Sequence, residues 1–279
     1  MNSPATSLPA NEIIRIPVVV HVLYSDPAYN ISDAKIISQL AVLNQDFRMT
    51  NPDHLQTPAE FAGLKADMGI SFELATRDPN GNPTSGITRR STTLDGLADS
   101  DPSNTLPVED KRLFFTAKGG QDAWPRDRYL NIWVVEMSNR HGNLALPGHA
   151  QYPGGDARID GVVIDPRVFG TLAPLVNGHH LGRTATHEIG HWLNLHHIFG
   201  KGNDCTATDF VDDTPPTGTS HLGKPVYPSM DCGVSNMFMN FMDYVDDDVM
   251  CMFTNGQKKR VRALFEPNGA RRLLYESNR

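Results

Sequence analysis

The sequence predicts a mixed α/β (α+β) protein: a lobe of alternating strands and helices, then a smaller irregular lobe, with a cleft between them. Three observations predict it. Short β-branched runs recur between residues 13 and 165, and one long segment among them has helical spacing. Regular patterning then thins out after residue 195. The 279 residues suffice for one large domain or two lobes, and 23 glycines and 20 prolines argue for long ordered loops rather than a helix bundle.

Taken in order, residues 1–12 read as a polar, flexible leader without the apolar run of a signal peptide. Residues 13–24 (IIRIPVVVHVLY) form a buried strand. Ser32 caps a long helix over residues 33–47, where Ile36, Ile37, Leu40, Val42, Leu43 and Phe47 fall near helical spacing. Residues 51–58 are loop and 70–76 (ISFELAT) a strand. Asn80-Gly81 marks a turn before a returning strand or extended loop at 86–93. The polar stretch 94–107 reads as a surface loop, 129–137 (YLNIWVVEM) as a strand, and 160–165 (DGVVID) as a short buried strand. Residues 139–155 are rich in glycine and proline and irregular, and 182–195 is the last strongly patterned helix. We expect one domain over 13–279, with an upper lobe to about 195 and a lower lobe over 196–279.

Composition excludes some functions. A net charge of −7 argues against nucleic acid, which needs a basic face. No run of about 18 apolar residues exists to cross a membrane. The three cysteines do not by themselves settle a compartment.

The chemistry concentrates in residues 187–197 (HEIGHWLNLHH). His187 and His191 stand four apart on a helix, so they share one face, about 40° apart in projection, and both imidazoles reach one metal ion. Glu188 sits beside that ion without binding it, as the general base of an H-E-x-x-H zinc site. His197 lies ten residues after His187, about 15 Å of rise on a straight helix. To join the same metal the chain must stop and turn, and Asn194 is the residue suited to the left-handed conformation that ends a helix.

These residues resemble the metzincin signature H-E-x-x-H-x-x-G-x-x-H, with His187, His191 and His197 as zinc ligands and Asn194 in the glycine position. The segment 240–244 resembles the metzincin Met-turn, which implies Met242 as an apolar floor under the imidazoles and Tyr244 as a phenol near the metal, suited to an oxyanion. The fuller pattern is similar to the pappalysin family, in particular its ulilysin-like members. It is carried by residues 17–24, 42–48, 160–164, 187–199, 212–215 and 240–257. The resemblance implies a twisted mixed sheet, an active-site helix, and a lower lobe with a C-terminal helix.

The resemblance also implies a secreted zinc endopeptidase that takes protein or peptide substrates. Asp248, six residues after Met242, would lie at the base of the S1′ pocket and select Arg or Lys, although a run of three aspartates is also ordinary surface. Asp209 and Thr214 would bind a structural calcium ion. Cys205 and Cys232 would form a disulfide, leaving Cys251 free. Closing that loop of 27 residues stabilises by roughly 3–4 kcal/mol in the chain-entropy model. An extended substrate would pair with an edge strand around residues 142–155.

Two other readings stay open at this point. One is a zinc-binding interaction module without catalysis, which the presence of Glu188 disfavours. The other is a site of two histidines and a distal glutamate, which the His197 offset disfavours.

Overall fold

Strand β1 (Ile14–Tyr24) is the axis of the sheet, and it is buried on both faces: Ile14, Ile16, Val18, Val19, Val20 and Val22 are all inaccessible to solvent or nearly so. Such a run reads as continuous apolar sequence because its neighbours lie parallel to it and are covered on both sides. The structure is a computed structural model that describes residues 7–9, 11–101, 103, 105–138, 143–202 and 204–279.

The first half of β1 pairs in parallel with β2 (Ile70–Leu74), and the second half with β3 (Ile87–Ser91). Gly86 makes the hand-over between them at φ +71, where a Cβ would meet the Ala75 nitrogen at 2.7 Å. On the other side of β1 lies β4 (Leu130–Val134), again parallel. Next comes β6 (Gly161–Ile164), and the short edge strand β5 (Gly148–Ala150) closes the order antiparallel to it. The mixed α/β layout expected from the strand runs is therefore the one that forms.

Helix α1 (Asp33–Phe47) starts where Ser32 accepts a bond from the Lys35 nitrogen. Its buried Ile36, Leu40, Leu43 and Phe47 cover one face of the sheet, where Phe47 packs edge-on to Phe72 at 5.0 Å. The polar stretch 94–107 departs from expectation. It contains a short helix, α2 (Gly96–Ser100), whose Asp99 and Ser100 are buried. Gly96 lies so close to β4 and the residues after it that a Cβ would meet Val135 Cγ1 at 2.5 Å. Asp95 caps this helix, accepting from the Leu97 and Ala98 nitrogens, while Ser103 and residues 105–107 are exposed as expected of a surface loop.

Helix α3 (Arg183–Trp192) is buried along its whole length. After it, regular structure is sparse. Two short pairs form, β7 (Leu222–Gly223) with β10 (Tyr244–Val245), and β8 (Met230–Asp231) with β9 (Val234–Ser235). Helix α4 (Asn255–Arg262) opens with a capping box of Thr254 and Gln257, and α5 (Arg272–Ser277) ends the chain. The C-terminal segment returns to α3. Buried Arg271 donates to Asp160 Oδ1 at 2.7 Å and stacks on Trp192 at 3.8 Å, while Trp192 Nε1 donates to the same Asp160 oxygen at 2.7 Å. Among the described residues, no helix is long and apolar enough to cross a membrane.

Candidate active site

The start of α3 is fixed from outside the helix. Gly182 at its N-cap has no side chain to cap with, and Asp247 does so from the aspartate-rich loop 246–248. Its Oδ2 accepts from the Leu181 nitrogen at 2.8 Å and the Arg183 nitrogen at 3.3 Å. Arg183 is itself held by Asp53 at 2.5 Å and Asp46 at 3.4 Å, and donates to the Asp247 carbonyl at 2.7 Å. Thr186 donates to the other Asp46 oxygen at 2.8 Å. A buried charge cluster thus joins α1, α3 and the aspartate-rich loop in one register.

The end of α3 is a Schellman turn. Asn194 sits at φ +71, its nitrogen donates to the His191 carbonyl at 2.8 Å, and the Leu195 nitrogen donates back to Gly190 at 2.9 Å. This reversal carries His197 back alongside the helix. The Nε2 atoms of His187, His191 and His197 lie 3.1, 2.9 and 3.2 Å apart pairwise. Tetrahedral zinc with nitrogens near 2.0 Å needs N···N spacings of about 3.3 Å.

The donor set also fits chemically. His187 donates its Nδ1 proton to the Phe241 carbonyl at 2.8 Å, and His191 donates its own to Leu195 at 2.7 Å, so both Nε2 atoms present bare lone pairs. Burial, reinforced by the neighbouring rings, holds all three imidazoles down at about 3, so they are neutral at pH 7 and ready to bind a cation. Two bare lone pairs converging with the Nε2 of a third neutral imidazole fit a metal ion.

Glu188 is buried beside the cluster, and burial alone pushes its carboxyl up to about 8. A cation held by the histidines acts in the opposite direction and favours the carboxylate. Met242 is fully buried under α3. Gly190 makes room for it, since a Cβ there would meet the Met242 sulfur at 2.4 Å. Tyr244 is partly exposed, with its ring 4.6 Å from His197 and 5.6 Å from His187. Burial and then Glu188 push its phenol up to about 12, so it keeps its proton.

Asp243 fixes the segment that carries Tyr244. It is fully buried and accepts from the Tyr244 nitrogen at 2.8 Å and the His221 nitrogen at 3.0 Å through Oδ1. Its Oδ2 takes the His221 ring at 2.8 Å. No sequence pattern announces this pairing, which joins residues 22 positions apart.

A cavity of about 600 Å³ runs along α3. Thr184, His187, Glu188 and His191 line one wall, and β5 with Leu146, Pro147 and Tyr152 lines the other. The edge strand falls inside the region expected for substrate pairing, although Gly142, the first residue of that region, lies outside the described residues. Sequence reading gave no role to Tyr152, whose hydroxyl is 2.9 Å from His191 Nδ1, or to Asp247 on the cavity wall; His179, which precedes the helix in sequence and could line the cleft, does line it. His196 turns away from the three clustered nitrogens and stacks on Tyr152 at 5.1 Å.

The remaining expected residues are distributed as follows. Asp248 is not among the cavity-lining residues. Its Oδ2 pairs with Lys224, and its Oδ1 is buried without a partner. Asp247 lines the cavity, and its Oδ1 is buried with no hydrogen-bond donor, the His179 ring lying 4.0 Å away. Asp209 is buried, accepts from Thr214 Oγ1 at 2.8 Å and the Val211 nitrogen at 3.0 Å, and is pushed up to about 6 by burial. Asp213, in the same loop, is used to cap α4 through Thr254 Oγ1 at 2.6 Å and the Gly256 nitrogen at 2.8 Å. Cys205 and Cys232 form a disulfide with Cα atoms 5.4 Å apart, and Cys251 is free and buried.

Comparison with known proteins agrees with this geometry. The profile of the Peptidase M43 family, described as pregnancy-associated plasma protein-A, matches residues 117–266. An extracellular metalloprotease of Arthroderma gypseum is 30% identical over 264 residues, covering 91% of this chain and 73% of that protein. Extracellular metalloprotease 1 of Coccidioides posadasii is 42% identical over 261 residues, covering 90% and 77%. Among solved structures, Tannerella forsythia mature mirolysin in complex with a cleaved peptide is 45% identical with a TM-score of 0.85. That match covers 96% of this chain and 97% of the other.

Proposed function

The chain belongs to the Peptidase M43, or pappalysin, family of zinc metalloendopeptidases, and on that premise we propose which residues carry its reaction and which substrates it prefers. His187, His191 and His197 hold the zinc; the convergence of their three Nε2 atoms within 3.2 Å is the observation that carries the reading. Bound zinc supplies a Lewis acid that polarises the scissile carbonyl and acidifies a water molecule. Glu188 takes the proton from the attacking water and returns it to the leaving amine. The Tyr244 phenol donates to the carbonyl oxygen as negative charge develops there. Met242 keeps the floor apolar, and the peptide lies extended against β5, bonded to it through its backbone.

The preferred residue after the scissile bond is Arg or Lys. The support is electrostatic: Asp247 and Asp248 each leave one carboxylate oxygen buried without a donor, and an incoming cation supplies one. The Lys224–Asp248 pair is partly exposed, so exchange of its ammonium for that of a substrate costs little. Digestion of a proteome-derived peptide library, read by mass spectrometry, tests this. Cuts should fall before Arg and Lys, and Asp248→Ala should lower that preference by about tenfold. Cuts with another preference in the wild type would discard the assignment and leave the zinc chemistry standing.

Asp209 and Thr214 are the proposed ligands of a structural calcium ion. The buried Asp209 carboxylate has no ion-pair partner among the described residues, and a hard cation would offset its burial. Adding calcium to zinc-loaded, EGTA-treated protein should raise the melting temperature by about 5 °C or more. No shift would count against the site. The enzyme is placed outside the cell, in line with relatives named extracellular and with the Cys205–Cys232 disulfide. Its recovery from culture medium rather than from lysate is the check.

A further inference from the structure

The two ends of the cleft differ in chemistry. At the N-terminal end of α3 stands Asp247, followed in the chain by Asp248. At the other end, Tyr152 packs against His191 with ring centroids 5.4 Å apart. From Tyr152 an aromatic row leads outward. His196 stacks on Tyr152 at 5.1 Å and 25°, and Phe210 meets His196 edge-on at 5.3 Å. The Arg260 guanidinium lies 5.6 Å from the Phe210 ring and is anchored by a bond from its Nε to the Asn194 carbonyl at 2.6 Å.

Phe210 is the unusual member. It is 62% exposed, and its backbone is held at φ +64, a region that non-glycine residues seldom enter. Its neighbours are not exposed. Asp209 and Val211 are both buried, and the Phe210 nitrogen is tied to Thr208 Oγ1 at 3.0 Å. A large apolar ring is thus presented to solvent on a fixed backbone in an uncommon conformation, a pattern that belongs to binding surfaces more often than to packing.

We infer that Tyr152, His196 and Phe210 form a subsite for an aromatic side chain of the substrate, on the amino-terminal side of the scissile bond. The orientation rests on the proposed preference for Arg or Lys after that bond. With the acidic end of α3 receiving the residue after the cut, the residues before it must run past His191 and Tyr152. An extended strand advances about 3.3 Å per residue, so the row faces the second to fourth residues before the bond. The side chain stacks on His196 and meets the Phe210 edge, and the fixed charge of Arg260 repels lysine or arginine there.

The test uses the zinc-loaded full chain and fluorogenic peptides with arginine fixed after the scissile bond. The second, third or fourth residue before the bond is set in turn to Phe, Gly or Lys. At one of these positions kcat/KM should be about five- to tenfold higher for Phe than for Gly, and lower for Lys than for Gly. The difference should fall mainly on KM. In Phe210→Asn, which keeps a residue tolerant of the left-handed backbone, the Phe-to-Gly ratio should collapse towards one. Equal rates for Phe and Gly at all three positions, or an unchanged ratio in Phe210→Asn, would overturn the subsite. Failure of the wild type to cut any peptide would overturn the peptidase reading and this inference with it, whereas cutting without preference overturns this inference alone.

Discussion

Replacing Glu188 by alanine should lower kcat by about 1,000-fold or more while zinc stays bound at one ion per chain. Two other carboxylates line the cavity, and neither can stand in. Asp243 is held by His221, and Asp247 caps α3. The loss should appear in single-turnover rates, with zinc content unchanged by elemental analysis, because Glu188 contributes no ligand atom to the cluster of three nitrogens. A variant that still turns over at a tenth of the wild-type rate would move the proton-transfer role to another group. Wild-type protein that binds zinc and never cuts would point to the non-catalytic module.

His197→Ala should release the metal. His187 and His191 alone supply two ligands from one face of α3, and the turn at Asn194 exists to bring in the third. We expect zinc affinity to fall by at least about 100-fold, and activity with it, with the far-ultraviolet spectrum preserved because His197 lies beyond the helix. Zinc retained after dialysis would favour a site of two histidines and a distal glutamate.

Much of this architecture was legible locally. Ser32 announces the start of α1, and the β-branched run at 14–24 announces a strand buried on both faces. The offset from His187 to His197, with Asn194 between them, announces a helix that must end in a left-handed residue. Each is a signal written within a dozen residues.

What escaped depends on distant contacts. Strand β5 has three residues, too few for any periodicity; the family resemblance pointed to an edge around 142–155, but its bounds depend on β6 offering it an edge. Helix α2 hides in polar sequence because its burial comes from a glycine set against Val135. The acidic run 246–248 has no internal clue to which carboxylate faces the cavity. Asp247 does, because Asp247 is the one that caps α3. Tyr152 and the His221–Asp243 pair became visible only once the chain was folded, since their partners lie 39 and 22 positions away.

The most direct measurement is zinc content and peptide hydrolysis on a single preparation, before chelation, after chelation and after zinc is restored. The expected result is one zinc per chain, hydrolysis that disappears with the metal and returns with it, and no recovery in Glu188→Ala. Hydrolysis that persists in metal-free protein, or zinc-loaded wild-type protein that never hydrolyses a peptide, would contradict the zinc-endopeptidase site built on His187, Glu188, His191 and His197.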